Sequence, residues 1–269
     1  MKKLVLVPEC GLCNRMRAMI SAVYLAEKHN FNCDIYWEKV EECFVNFDEI
    51  FEPVNDLQNV KIISYEPLKN RFRKIFFDRN KPTNFSLPKI LRKPFFDLQY
   101  VDYKEERRNQ FEKKRVFIRT MYSFSEHYPI KKLFVPIEKL QTEIDKIVSQ
   151  FSTYTVGFHI RRTDHVVAMQ RNSVADFIAA METEVAETKD VKFFVATDDL
   201  DVKKSLVERF GEKIITYNKA ELSRGSVTGM QDALIDLWCL SNTSKIYGSH
   251  TSSFSETAAE MGGVELITL

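Results

Sequence analysis

Apolar and polar positions along this chain follow two periods, and the first fifty residues contain both. Residues 3–7 (KLVLV) form a short apolar run of the kind a buried strand shows, and PECGLCN after it is turn-like. A helical stripe through Arg15, Met19, Val23 and Ala26 follows, making a β-loop-α opening. Strands are predicted at Cys33–Trp37 and Val60–Ile63, with FVNFDEIF between them as a short helix or loop. VFIRTMYSF is strand-like, and PIEKLQTEIDKIVSQF places Ile137, Leu140, Ile144 and Val148 at helical spacing.

Beyond residue 150 the alternation becomes regular. The pattern predicts strands at Thr155–Ile160, Lys192–Ala196, Lys213–Tyr217, Lys245–Gly248 and Val264–Thr268. Between them it predicts helices at Ser173–Glu187, Leu200–Phe210, Gln231–Ser241 and Ser253–Met261. Strict β/α alternation implies a parallel sheet covered on both faces, and such sheets bind ligands outside the carboxyl ends of their strands. The expected domains are 1–149 and 150–269.

Composition narrows the class without naming a partner. The chain has 269 residues, is 29% charged and carries a formal net charge of +1. Overall charge therefore points to no partner. Pro8 and Glu9 interrupt the first apolar run, and no later stretch reaches the ~18 apolar residues of a membrane helix, so neither a leader nor a span is expected. Five scattered cysteines suit a reducing compartment, and cytoplasmic is the expected location. The segment Lys69–Arg115 is dense in Lys and Arg with interleaved aromatics. It leaves open nucleic acid, an anionic membrane surface or an acidic glycan as a contact, and motivates the alternative of a non-catalytic binding protein.

Three strand ends in the second half are more polar than packing requires. HIRRTD follows Thr155–Ile160, and in an extended chain His159 and Arg161 point to one side while Arg162 points to the other. Arginine donates bidentately to phosphate oxygens, so one guanidinium can face an anion, with Asp164 near enough to orient it. An isolated Arg-Arg pair is more simply a surface salt-bridge cluster; the added His and Asp at a β-to-α junction favour a site.

The second polar strand end is FFVATDD, where Asp198 and Asp199 can accept from sugar hydroxyls, pair with the arginines, or cap the helix that follows. Asp199-Leu200-Asp201 also spells the D-x-D of metal-dependent transferases, but Asp201 falls inside the predicted helix and the metal signal is weak. The third is KIYGSHTSSFSETAAE, where Ser253-x-x-Glu256 is expected to form a capping box. Its helix start, with Ser252 and Ser253, is a candidate phosphate site. Between these lies GMQDALIDLWCLS, whose wide apolar stripe carries Asp232 and Asp236 one turn apart. A buried carboxylate needs a partner: for Asp236 that is either the N1 and N2 donors of a guanine ring or a core Lys or Arg.

At the amino-terminal end, Cys10-x-x-Cys13 between a strand and a helix is the setting of a thioredoxin-like redox site. The favoured reading is that Gly11 permits a tight turn while Asn14 and Arg15 face an interdomain cleft.

Taken together and in order, VGFHIRRTD, FFVATDD, QDALIDLWCLS and SSFSETAAE resemble the α1,6-fucosyltransferase and nodulation fucosyltransferase group, with its protein O-fucosyltransferase relatives. GLCNRMRA is similar to that group's amino-terminal G-x-x-N-R loop. The resemblance covers Tyr154–Gly263 well and residues 3–20 loosely. It implies a GT-B-like α/β fold, two Rossmann-like domains with parallel sheets facing across a cleft, with the acceptor on the side of 1–149 and the nucleotide sugar in 150–269. It implies an inverting, metal-independent transferase with no cofactor and GDP-fucose as the donor substrate. His159 and Asp236 would contact the guanosine, Arg161 with Ser252 and Ser253 would hold the β-phosphate, and Arg162, Asp164 and Asp198 would shape the sugar site. The acceptor would be a saccharide, a lipid-linked intermediate among the candidates, and no nucleic acid is expected. After R-R-x-D this chain has His165 and Met169 where the core-fucosylating enzymes carry Lys and an acidic residue. His165 is thus the candidate general base, with a surface histidine at a helix start as the plain alternative.

Overall fold

The computed structural model describes residues 2–65, 98–100, 115–125, 128–162, 173–218, 221, 223–250 and 252–269. The chain forms two compact units, Met1–Val135 with Arg224–Val227, and Pro136–Ser223 with Thr228–Leu269.

In the first unit, β1 (Lys2–Pro8) leads to α1 (Leu12–His29) and then to β2 (Phe31–Glu38) and β3 (Val60–Tyr65). β4 (Leu98–Tyr100), β5 (Arg115–Thr120) and a single helical turn, α2 (Ile130–Leu133), complete it. The strands pair in the order β3-β2-β1-β5-β4, every pair parallel. FVNFDEIF contains one 3₁₀ turn, Phe47–Glu49. Trp37 is fully buried, and its indole N–H donates to the Val45 carbonyl at 2.7 Å.

The second unit opens with α3 (Glu138–Val148), whose Leu140, Ile144 and Ile147 are buried. This helix belongs to the second compact unit, which begins at Pro136. There follow β6 (Thr155–Ile160), α4 (Val174–Glu187), β7 (Lys192–Thr197), α5 (Leu200–Phe210) and β8 (Ile214–Ile215). α6 (Val227–Leu240), β9 (Lys245–Gly248), α7 (Ser253–Gly262) and β10 (Glu265–Thr268) end the chain. The sheet order is β10-β9-β6-β7-β8, again parallel throughout.

β6 is buried at every position because it lies at the centre of this sheet. Phe158 stacks on Tyr247 with centroids 4.9 Å apart and meets Phe193 edge-on at 5.5 Å. Burying each such ring contributes about 1.5–3 kcal/mol. At Gly157 a Cβ would come within 2.7 Å of the Thr243 hydroxyl, so only glycine lets β6 lie this close to the turn after α6. The chain leaves β6 toward β7 on one side and later returns to β9 on the other, which makes the β6/β9 boundary the topological switch point. In an open parallel sheet the ligand crevice forms there, at the carboxyl edge.

Candidate functional site

That edge of the second unit collects the ends of three strands. The β6–β9 pairing runs to His159 opposite Gly248, and one residue further the side chains take over. The Arg161 N–H donates to the Ser249 hydroxyl at 3.0 Å, and the Arg162 N–H donates to Asp198 Oδ1 at 2.8 Å. Each arginine's peptide is thus tied to a different neighbouring strand, Arg161 to β9 and Arg162 to β7. Both arginines are half-buried.

The two acidic residues after β7 divide their work. Asp199 caps α5, accepting from the N–H groups of Asp201 and Val202 at 3.0 Å each. Asp198 is left to hold Arg162. With Asp199 capping and Asp201 in the first turn of α5, the D-x-D reading has no geometric basis. Among the described residues no group of three or more His, Cys, Asp or Glu is placed to hold a metal ion.

On the other side of β6, α7 begins at Ser253. The expected capping box does not form: the N-cap is Ser252, and its hydroxyl makes no capping bond. That hydroxyl lies 3.4 Å from His159 Nδ1 instead, while Ser255 Oγ lies 2.9 Å from the same nitrogen. The imidazole also stacks on Phe254 at 4.8 Å and is 8% exposed. His159 therefore pins the start of α7 to the sheet. Gly248 permits the contact, since a Cβ there would meet Ser255 at 2.6 Å. The start of α7 is tied to this edge through His159 and the Arg161 peptide through Ser249; a helix start and an arginine are each suited to an anion.

Asp236 is 2% exposed on α6, where its charge adds to the burial that pushes the Cys239 thiol up. Asp232, also buried, accepts from the Glu221 N–H at 3.1 Å. The Tyr217 hydroxyl is pushed up to about 12, first by burial and then by the charge of Asp232. A hollow of about 140 Å³ opens beside this tyrosine, lined by Val195, Thr197, Leu200, Lys203, Thr216, Tyr217 and Asn218. Leu200, 64% exposed, forms part of its wall.

In the first unit, the loop after β1 differs from expectation. The residue with positive φ is Cys10 (65°), whereas Gly11 sits in ordinary extended geometry at φ −72° as the N-cap of α1. Arg15 is turned into the protein. It is 1% exposed, donates from Nε to the Cys10 carbonyl at 2.8 Å and from a terminal nitrogen to the Glu38 carbonyl at 2.5 Å, and packs over Trp37. Its charge is spent on closing the loop, because two backbone carbonyls point inward there. Asn14 is half-exposed on the first turn of α1. Cys10 is half-buried and Cys13 buried, and Cys10 Sγ contacts Met121 Sδ at 3.2 Å.

Asp164, His165 and Met169 lie outside the described residues, as does nearly all of Lys69–Arg115. Ser249 and Ser255 are the polar residues at this edge that the sequence did not single out individually. Their signal was present only as a run of hydroxyls, and the run does not say which hydroxyl turns to the sheet.

No protein-family model matches the chain, and no curated protein matches it. Solved structures do. The NodZ α-1,6-fucosyltransferase soaked with GDP-fucose aligns over 97% of this chain and 93% of its own, at 19% identity and a TM-score of 0.67. The fucosyltransferase NodZ from Bradyrhizobium aligns over 96% and 93%, at 18% identity and 0.65. A FUT1 variant from Arabidopsis thaliana in complex with GDP aligns over 100% and 70%, at 13% identity and 0.63. The fold of the chain is the one these proteins share, a GT-B-like pair of Rossmann-like α/β units.

Proposed function

We propose that this chain is a fucosyltransferase that binds GDP-fucose at the carboxyl edge of its second unit and transfers the fucosyl group to a saccharide hydroxyl. The observation that carries the reading is the pair of arginine peptides fixed at the β6/β9 switch point beside the start of α7. Structures of the same fold hold GDP or GDP-fucose, which supports the choice of nucleotide. A binding protein working through residues 69–115 is supported by none of them, nor is a lipid-linked acceptor or a membrane contact. Among the described residues no helix is long and apolar enough to cross a membrane.

A diphosphate at this edge meets the Arg161 fork and the positive end of α7. His159 and Asp236, both buried, are the residues proposed to meet the guanosine. As the bond from the anomeric carbon to the β-phosphate oxygen breaks, its electron pair stays with the departing GDP, and the arginine and helix dipole act where that charge develops. The acceptor oxygen bonds to the anomeric carbon from the opposite face, inverting it, and its proton passes to a base, for which His165 is the candidate. Charge on GDP is met by protein groups, so the reaction needs no metal ion.

The test is thermal unfolding of the purified protein with GDP, GDP-fucose, GDP-mannose, UDP-glucose and ADP, each with and without EDTA. Ligand at 100 times its Kd stabilises the native state by about 2.7 kcal/mol. Guanosine diphosphates alone should raise the Tm, with EDTA making no difference. No shift with any nucleotide overturns the reading.

A further inference from the structure

If the second unit holds a GDP-sugar, the aim of Arg161 decides how well the diphosphate is gripped, and a residue on another strand sets that aim. Ser249, the first residue after β9, is 3% exposed. Its hydroxyl accepts the Arg161 N–H at 3.0 Å and donates to the His159 carbonyl at 3.1 Å. Its own N–H reaches the same carbonyl at 3.2 Å. Ser249 thus brackets the peptide units on both sides of Ile160, at the point where the β6–β9 ladder ends.

We propose that Ser249 is a positioning residue for Arg161: its hydroxyl fixes the backbone from which the phosphate-gripping side chain springs. The inference rests on the donor reading. It differs from assigning Ser249 to the phosphate directly, because a serine hydroxyl has one hydrogen and this one is committed to the His159 carbonyl. The hydroxyl is also buried, whereas a phosphate ligand has to face the anion. Asp198 plays the matching part for Arg162 from the opposite strand, so the two arginines cannot shift together without breaking a tie on each side.

The mechanism makes a distinction that a merely structural role does not. Arg161 is assigned to the β-phosphate, so mis-aiming it should weaken GDP and spare GMP, which lacks that group. Titration calorimetry on the full chain would compare GDP and GMP binding to wild type, Ser249→Ala, Ser249→Cys, Ser249→Thr, Arg161→Ala and the Arg161→Ala/Ser249→Ala double variant. Ser249→Ala and Ser249→Cys should lose tenfold or more in GDP affinity and less than twofold for GMP, while Ser249→Thr, which keeps the hydroxyl, stays within threefold of wild type for both. In the Arg161→Ala background, removing the Ser249 hydroxyl should add less than twofold, since coupled residues are not additive. Equal losses for GDP and GMP, undiminished GDP binding by either hydroxyl-free variant, or additive effects in the double variant would overturn the inference and leave the donor reading standing. Wild-type protein that binds no GDP would refute the donor reading and this inference with it.

Discussion

Asp198 Oδ1 accepts the peptide N–H of Arg162 at 2.8 Å, joining the ends of two adjacent parallel strands. The bond holds a cationic residue in place through its backbone and leaves its guanidinium to other work. Replacing Asp198 with Asn keeps an oxygen at the same place, while Ala removes it. GDP-fucose affinity should fall by up to about 1.5–3 kcal/mol in Asp198→Ala, the worth of a hydrogen bond to a charged group, and by clearly less in Asp198→Asn. Calorimetry on the two variants separates them, and equal affinities would show that the tie to Arg162 is idle.

Arg161→Ala should abolish fucosyl transfer and weaken GDP binding by about 1.5–3 kcal/mol. Release of GDP from GDP-fucose, followed with and without EDTA, reads the first effect. A variant as active as wild type would remove Arg161 from the donor site.

Gly248→Ala tests the close approach of β9 to α7. Its Cβ would sit 2.6 Å from the Ser255 Cβ, which cannot yield without moving the helix, and 3.0 Å from the end of the Leu266 side chain. Overpacking of this kind costs about 1–3 kcal/mol. Denaturant unfolding should show that loss, together with weaker GDP binding, because the start of α7 moves. Unchanged unfolding would mean that α7 shifts freely.

Glu184 on α4 is buried, and its carboxylate receives Lys245 Nζ at 2.5 Å, the Tyr247 hydroxyl at 2.7 Å and the Tyr154 hydroxyl at 3.1 Å. Burial alone would raise the carboxyl's pKa, but these hydrogen bonds and the lysine charge outweigh it and hold the group below its usual range. A depressed carboxyl lends stability above its unfolded pKa, about 4.3, and loses it as pH falls through the folded value. Lys245 is shifted the other way: burial would lower it, yet bonding to Glu184 and Tyr154 raises it, so its share persists up to about pH 10.4. Glu184→Gln should therefore cost about 3 kcal/mol at pH 7, the lower end for breaking a buried pair. The Tm gap to wild type should narrow below about pH 4. Melts from pH 3 to 7.5 check this, and a gap independent of pH would rule out the ionised pair as its source.

Much of the second unit is legible in the order of its residues. Thr155–Ile160 and Lys245–Gly248 form strands with the predicted ends, since short apolar runs bounded by turn residues have few other options. β8, expected over Lys213–Tyr217, keeps only Ile214 and Ile215. It lies at the edge of the sheet, where Tyr217 turns instead toward Asp232 on α6. Arg15 is ambiguous in sequence for a related reason: an arginine at a helix start looks the same whether a ligand or two carbonyls of its own chain receive it.

The sequence by itself determined the β/α alternation, the parallel sheets and the gathering of polar residues at three strand ends, because side-chain periodicity and turn chemistry act over a few residues. Only the tertiary structure decided which of those polar groups meet. Arg161 finds Ser249 88 positions away, Arg162 finds Asp198 36 away, and His159 finds Ser255 96 away. Such pairings depend on the register between strands and on the approach of α7 over Gly248, and those are set when the whole sheet packs.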